Sequence, residues 1–175
     1  MTDTQQNRFL KIVTELAKAS RLSSEAEYTQ HGNTTCLLHS IAVAYHCYKW
    51  AIKLGEHKFA SDELIRGALL HDYFLYDWHD NAFPPNGLHG FSHPLTAWQN
   101  ASRDFSLTDR EADIIRKHMF PLTITKIPKY RESVIITLVD KYCSLYEVFS
   151  RNTYNIPLVR QAEKIILENK DTAVT

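Results

Sequence analysis

The sequence is poor in glycine and cysteine, has no excess of charge of either sign, and lacks long apolar runs. Its 175 residues include only five glycines and three cysteines, and 20 lysines and arginines balance 20 aspartates and glutamates. No apolar run reaches the roughly 18–20 residues of a membrane-spanning helix, and the first residues lack the apolar stretch of a secretory signal. The composition therefore predicts neither a membrane protein nor the basic surface that nucleic acid polymers require.

The cysteines give no sign of a disulfide framework or of a zinc site. Cys36, Cys47 and Cys143 lie in apolar periodic segments, and no two of them have CxxC spacing. An odd number of cysteines without a secretory signal indicates reduced thiols. We therefore expect a cytoplasmic protein.

Helical periodicity runs through most of the chain, and alternating strand-like segments are hard to find. The segment 77–91 contains two prolines and two glycines and predicts a long loop, a kind of segment that is often functional. We expect a single all-α domain of about seven helices over residues 1–175. The predicted caps are Thr34 or Thr35, Ser92, and a capping box of Thr108 and Glu111. With apolar spacing and glycine or proline stops, they place the helices at about 9–17, 35–54, 61–72, 92–105, 108–120, 131–149 and 157–169.

A polar pair follows the last apolar residues of a predicted helix. In ALLHDYFLYDWHD, residues 68–80, the pair His71-Asp72 follows three apolar residues, and aromatic and acidic residues come next. Such a pair is either a local polar feature of a helix end or part of a metal site. Candidate ligands elsewhere in the chain decide between these interpretations.

Four further residues of metal-binding type lie on predicted helices. Asp140 interrupts the apolar segment VIITLVDKYCSLY, where a carboxylate is costly unless it has a partner or binds a metal. His39 has apolar neighbours at i−3, i+3 and i+4 and therefore faces the interior. His93 begins a predicted helix in FSHPLTAW, and His118 ends one in IIRKHMFP.

The types of these candidate ligands predict the kind of metal. Imidazole nitrogens with carboxylate oxygens suit Fe, Mn or Zn, and they differ from the all-oxygen ligand set of calcium. Six candidates exceed the three or four protein ligands of a single catalytic zinc. Two divalent transition-metal ions bridged by a carboxylate would use all six, and Asp72 is the natural bridge because adjacent residues at a helix end can address neighbouring ions. Two such ions can clamp a phosphate and generate hydroxide near neutral pH.

The order H…HD…H…H…D on helices resembles that of the HD-domain superfamily of metal-dependent phosphohydrolases. The resemblance covers about residues 31–150, and its local sequences are HGNTTCLLHSIAVAY, GALLHD, HPLTAW and LVDKY. It implies a helical bundle that hydrolyses a phosphate ester or anhydride. It also implies metal-ligand roles for His39, His71, Asp72, His93, His118 and Asp140.

Six ligands resemble the two-metal subgroup of this superfamily rather than its one-metal nucleotidases, which have H…HD…D. The subgroup includes hydrolases of symmetrical dinucleoside tetraphosphates, cyclic-dinucleotide phosphodiesterases and a few diiron oxygenases. The GYP-type signature of the cyclic-dinucleotide branch is absent, since Met119-Phe120-Pro121 follows His118. The expected substrate is a small phosphorylated metabolite such as a nucleotide.

Three residues are candidates for substrate contact, each with an alternative. His89, in LHGF, could replace His93 as a ligand, or it could contact substrate from the loop and protonate the leaving oxygen. His31 could contact phosphate or belong to a surface turn with Gly32. Lys141 could neutralise a phosphate, although a charge next to a ligand usually points away from it.

The ligands also have alternatives that involve no metal. Asp140 could be a core acid paired with Lys141 or Arg116. His39 could be a core histidine bonded to a backbone carbonyl, and His118 could be a cationic cap at a helix end. Aromatic residues near the HD pair could stack on a base or belong to the core: Tyr73, Phe74, Tyr76 and Trp78.

The expected reaction is hydrolysis by a water that both ions acidify, with Asp72 as the bridging and catalytically essential carboxylate. Two other functions use the same residues. One is a diiron HD-type oxygenase, and the other is a non-catalytic HD module that binds metal or nucleotide. Oxygen uptake would identify the first, and bound metal without turnover would identify the second.

Overall fold

The computed structural model of the protein describes residues 1–18, 21–79, 88–150 and 154–172. Two 3-10 helices, Leu22–Glu27 and Glu56–Lys58, accompany the α-helices. The predicted all-α class with about seven helices is confirmed. Within the described ranges the α-helices are α1 (Asp3–Ala17), α2 (Cys36–Gly55), α3 (Ser61–Leu69), α4 (His89–Asp104), α5 (Asp109–Lys117), α6 (Arg131–Phe149) and α7 (Pro157–Thr172).

Two helices that carry candidate ligands begin at capping residues that the sequence predicts. The Thr108 hydroxyl accepts a hydrogen bond from the Glu111 backbone N–H, and the Glu111 carboxylate accepts one from the Thr108 N–H. This reciprocal capping box begins α5. The Thr35 hydroxyl accepts a hydrogen bond from the Leu38 N–H and begins α2. Local side chains therefore set where these two helices start.

A short antiparallel hairpin, formed by β1 (Thr29–His31) and β2 (Thr34–Thr35), precedes α2. The sequence does not predict it, because strands of two or three residues are too short to show alternation. Gly32 turns the hairpin with a φ of +57°, a conformation that side-chain-bearing residues rarely adopt. A Cβ on Gly32 would lie 2.9 Å from the backbone oxygen of Glu147, so the hairpin lies close against α6.

The fourth helix begins earlier than the sequence predicts. The sequence predicts a loop over 77–91 and a helix that begins at the cap Ser92. The predicted C-terminal end of this loop is wrong, because α4 already begins at His89. The backbone N–H of Ser92 donates to the Leu88 oxygen at 3.2 Å, so Ser92 already lies in the first helical turn. Residues 80–87 of the predicted loop lie outside the described residues.

One hydrophobic core contains side chains from all seven helices. Helix α2 lies at its centre and packs against α3 and α6, while α5 packs against α3, α4 and α6. The first half of α2 is buried around its whole circumference, which a helix with apolar residues on every side requires. The helices that carry or precede candidate ligands therefore pack against one another, with α2 against α3 and α6 and α4 joined to them through α5. In the described parts of the chain, none of the helices has the length and apolar character needed to cross a membrane.

Gly67 lies on α3, the helix that leads into the HD pair. It allows α3 to pack closely against α5. A Cβ on Gly67 would lie 2.8 Å from Cδ1 and 3.0 Å from Cγ2 of Ile114, and the Ile114 side chain is fully buried. We expect Gly67→Ala to lower the free energy of unfolding by about 1 kcal/mol, because overpacking outweighs the gain of alanine over glycine in a helix. Urea unfolding measures this change.

A double variant tests the cause of that loss. Ile114→Ala removes both methyl contacts, so adding Gly67→Ala to it should cost less stability than adding Gly67→Ala to the natural chain. An equal cost in the two backgrounds would show that Ile114 does not determine the need for glycine.

Candidate metal centre

The six predicted ligands come together inside the bundle, although they come from five different parts of the chain. Each is at most 6% exposed to solvent. They are His39 on α2, His71 and Asp72 in the turn after α3, His93 on α4, His118 directly after α5, and Asp140 on α6. Burial of so many polar side chains at one point requires that they satisfy one another or bind a cation.

Asp72 lies between two pairs of histidines. Its Oδ2 atom is 3.7 Å from His39 Nε2 and 3.4 Å from His71 Nε2. Its Oδ1 atom is 3.3 Å from His93 Nε2 and 3.6 Å from His118 Nε2. The two carboxylate oxygens therefore face different histidine pairs, which is the arrangement expected of a bridging carboxylate.

Asp140 completes the side of the cluster that Asp72 Oδ2 faces. Its Oδ1 atom is 3.3 Å from His39 Nε2 and 3.8 Å from His71 Nε2. Donor atoms of His39, His71 and Asp140 all lie within 4.8 Å of one another, and so do those of His71, Asp72 and His118. Each group of three is close enough to hold a metal ion.

Backbone oxygens orient three of the four histidines through their Nδ1 atoms. Each acceptor comes three or four residues earlier: His71 bonds to Ala68 O (2.7 Å), His93 to His89 O (2.8 Å) and His118 to Ile115 O (2.8 Å). An Nδ1–H that donates to a carbonyl leaves the Nε2 lone pair of the neutral ring available to a cation. All three Nε2 atoms point into the cluster.

Glu147 orients the fourth histidine, and the sequence analysis missed it. His39 Nδ1 lies 2.9 and 3.0 Å from the two Glu147 carboxylate oxygens. The Tyr154 hydroxyl donates to Glu147 Oε1 at 2.7 Å. The signal that could have found Glu147 is its spacing, because it follows Asp140 by seven residues and therefore lies on the same face of α6.

Two more polar residues near the site come from the segment before α2. Gln30 is buried, and its side-chain amide donates to Asp72 Oδ2 at 2.6 Å. Glu25 is buried in the first 3-10 helix, and burial followed by the charge of Asp72 raises the pKa of its carboxyl well above its usual range. Neither residue had a signal in the sequence, since the hairpin that carries Gln30 was not predicted.

The residues present fit a metal ion. Three atoms of the cluster are buried without a hydrogen-bond partner: His39 Nε2, His71 Nε2 and Asp72 Oδ1. The Nε2 atoms of His93 and His118 lie 2.8 Å apart. Because both rings use Nδ1 to contact a carbonyl, their Nε2 lone pairs face each other unless a proton or cation lies between them. A metal would satisfy all five atoms.

The electrostatics of the cluster favour ionised carboxylates and a neutral His118, but they favour protonated His39 and His71. Burial opposes the charge of both rings, yet nearby carboxylates raise the pKa of His39 well above its usual value and also raise the pKa of His71. Burial opposes the charge of Asp72, but the charge of His71 and the nearby His93 and His118 rings hold its pKa well below the usual range. Burial also opposes the charge of Asp140, but close contacts with the His39 and His71 rings hold its pKa well below the usual range. Burial and nearby histidines lower the pKa of His118 to about 3. Ionised carboxylates and neutral imidazoles are the metal-binding forms, so a metal held by His39 and His71 would displace their protons.

Comparison with known families identifies this arrangement. The family model for the HD domain matches residues 37–145, a segment that contains all six candidate ligands. The chain belongs to the HD domain family. The predicted resemblance is thereby confirmed, and with it membership of a superfamily of metal-dependent phosphohydrolases. No curated protein and no solved structure matches the chain.

The HD domain has a cavity of about 380 Å³ that opens onto the ligands. Asp72, His93, His118 and Asp140 lie in its wall. Other residues in its wall are Gln30, His31, Trp78, His89 and Lys141. A larger open groove of about 960 Å³ runs beside the Arg8–Glu56 ion pair, but none of the candidate ligands lines it. The smaller cavity is therefore the candidate substrate site.

His89 lies at the cavity wall and stacks beside the candidate ligand His93 instead of facing Asp72. Its ring stacks on Trp78, with centroids 4.9 Å apart, and on His93, with centroids 4.5 Å apart. Its Nδ1 atom is 3.0 Å from the Tyr76 hydroxyl. Since it is His93 whose Nε2 faces Asp72, the geometry favours His93 as the third histidine ligand. Burial and His93 lower the pKa of His89 to about 4.

The other two candidates for substrate contact also reach the cavity. The His31 ring centroid lies 5.9 Å from that of His39 and 6.2 Å from that of Trp78, in edge-to-face geometry. Gly32 makes the turn that the sequence analysis gave as the alternative, and the His31 ring faces the cavity. Lys141 Nζ lies 3.8 Å from Asp140 Oδ2, so its ammonium faces the site.

Several residues that lie near the candidate ligands in sequence do not line the cavity. The Arg116 guanidinium lies 4.7 Å over the Trp98 ring rather than beside Asp140. Tyr73 and Phe74 are buried in the core, in agreement with the alternative that the sequence left open. Among the aromatic residues after the HD pair, it is Trp78 that lines the cavity.

Proposed function

We propose that the protein hydrolyses a phosphate ester or anhydride in a small phosphorylated metabolite such as a nucleotide, with the help of bound metal. The observation that carries this proposal is Asp72, whose two oxygens face different histidine pairs at the base of a cavity. A polar cluster that only stabilised the core would not need to line a cavity. Membership of the HD domain family supports the same reaction class.

We infer two ion positions, each occupied by Fe, Mn or Zn. His39, His71 and Asp140, with Asp72 Oδ2, would hold one ion. Asp72 Oδ1, with His93 and His118, would hold the other. Bound ions would supply an acidified water as nucleophile and would stabilise charge on the phosphoryl oxygens.

The chain itself would orient the phosphate and balance its charge. Gln30 fixes the orientation of the Asp72 carboxylate through the 2.6 Å hydrogen bond to Oδ2. The Lys141 Nζ donates to the His118 backbone oxygen at 3.0 Å, which holds the ammonium at the cavity wall. There it can pair with a phosphoryl oxygen. His31 also lies in the cavity wall and can donate a second hydrogen bond to the same group.

His89 would assist departure of the leaving group. When the Tyr76 hydroxyl donates to Nδ1, the proton of the neutral His89 ring lies on Nε2. From Nε2 it can donate a hydrogen bond to the leaving oxygen. A bound phosphate dianion raises the pKa of a neighbouring imidazole, which favours the protonated His89 ring, and this ring can transfer a proton to the leaving oxygen and return to its neutral form.

The size of the cavity and the charge of the chain support a small substrate. A volume of about 380 Å³ suits a metabolite rather than a polymer. The formal net charge of zero supports the same choice, since nucleic acid polymers and anionic membranes attract basic proteins. All three cysteines are free and buried, which supports a cytoplasmic setting for the activity.

Metal analysis and a substrate screen on untagged protein test the proposal. We expect close to two transition-metal ions per chain and phosphate release from at least one nucleotide or phosphomonoester. A chelator should abolish turnover, and Mn²⁺ should restore it. Fully loaded protein that hydrolyses none of the phosphate substrates would contradict the proposal and favour a non-catalytic module. Oxygen uptake without phosphate release would favour the oxygenase.

A further inference from the structure

Helix α6 is apolar on its outer side as well as on its inner side. The inner side is buried in the core through residues such as Ile136, Val139 and Cys143. A helix with apolar residues on every side is normally buried on every side. The outer side nevertheless exposes six large side chains, between 47% and 83% each: Val134, Leu138, Tyr142, Leu145, Val148 and Phe149. We call these six residues the α6 stripe.

Charged residues do not interrupt the α6 stripe. Every residue of α6 is described, and Arg131, at its first position, is the one charged residue of the helix that is exposed. Glu132 and Glu147 are buried, and Lys141 is partly buried at the cavity. An ordinary solvent-facing helix side carries charged residues, so the α6 stripe has the composition of an interface.

The spacing and area of the α6 stripe match a helix-to-helix contact. Leu138, Tyr142, Leu145 and Phe149 follow one another at intervals of four, three and four residues, the alternation of a coiled-coil seam. The six side chains expose on the order of 600 Å². A stable protein–protein interface buries roughly 800 Å² per partner, so the α6 stripe supplies most of one.

We propose that the α6 stripe binds the same stripe of a second copy of this chain, with the two α6 helices antiparallel about the midpoint between Tyr142 and Leu145. In this register Leu138 of one copy lies opposite Phe149 of the other, and Tyr142 lies opposite Leu145. Antiparallel helices also place opposite ends of their dipoles together. A formal net charge of zero means that two copies do not repel each other.

Light scattering after size exclusion, on the full chain at about 10 µM, tests the proposal. We expect twice the mass of one chain. Leu138→Glu should weaken the dimer by at least about 100-fold and give a monomer, because a two-fold interface contains the substituted residue twice. Leu54→Glu is the matched control, since Leu54, at the end of α2, is 54% exposed and Leu138 is 53% exposed. This control should remain a dimer.

Circular dichroism checks that each variant is folded. A natural chain that is monomeric up to about 100 µM, or a dimer that Leu138→Glu does not dissociate, would overturn the proposal. The double variant Leu138→Cys/Phe149→Cys tests the register: under mild oxidation it should form disulfides between copies, and Leu54→Cys should not. A dimer without those disulfides would overturn the antiparallel arrangement. The natural cysteines are buried and do not compete.

Discussion

Asp72→Ala should remove the bound metal and the turnover together. Its two oxygens face both histidine pairs, so no other single side chain of the cluster would be shared by both proposed ions. Loss of the metals removes several kcal/mol of transition-state stabilisation, which corresponds to a fall in kcat/KM of about 10³-fold or more. Metal analysis and phosphate release on the same preparation measure the two effects.

Asp77→Ala is the matched control for that experiment. Asp77 is an acid five residues further along, it is exposed, and it hydrogen-bonds to the backbone of His79. It should keep its metal and its activity. Asp140→Ala should lose the ion that His39 and His71 help to hold and leave part of the metal bound. Full metal content and activity in Asp72→Ala would refute the bridging role.

Glu147→Gln should weaken metal binding by about 10–100-fold, the range seen when a group that orients a metal-binding histidine is changed. The Glu147 carboxylate accepts the Nδ1–H of His39 and carries a negative charge that makes the imidazole more basic. A neutral amide weakens both effects and allows the histidine to change tautomer. Competition with a chelator of known affinity measures the change, and excess metal should restore most of the turnover.

Two further variants separate this role from a purely structural one. Tyr154→Phe removes the hydroxyl that donates to Glu147 Oε1 and leaves the carboxylate in place, so it should weaken metal binding in the same direction by a smaller factor. Glu168→Gln, on the exposed side of α7, should leave metal affinity unchanged. If Glu147→Gln is folded and its metal affinity equals that of the natural chain, Glu147 has no part in orienting His39.

Much of the helical framework could be predicted because its signals are local. The predicted bounds of the helix over 131–149 agree with α6, and Thr108 and Glu111 form the capping box that the sequence predicts. Caps and apolar spacing act within three or four residues, so they can be recognised without the fold. The early start of α4 was missed because its N-cap position, Leu88, is not a capping residue by type.

By itself, the sequence determined the all-α class, the order of the six candidate ligands and the buried position of Asp140, because ligand type and apolar context can be read along the chain. Tertiary structure alone decided which oxygen of Asp72 faces which histidines, and that His89 stacks beside His93 instead of facing Asp72. It also brought Glu147 to His39 and Gln30 to Asp72. These contacts depend on how α2, α6 and the hairpin pack in three dimensions, and no local pattern of residues encodes distances between segments that lie far apart in the chain.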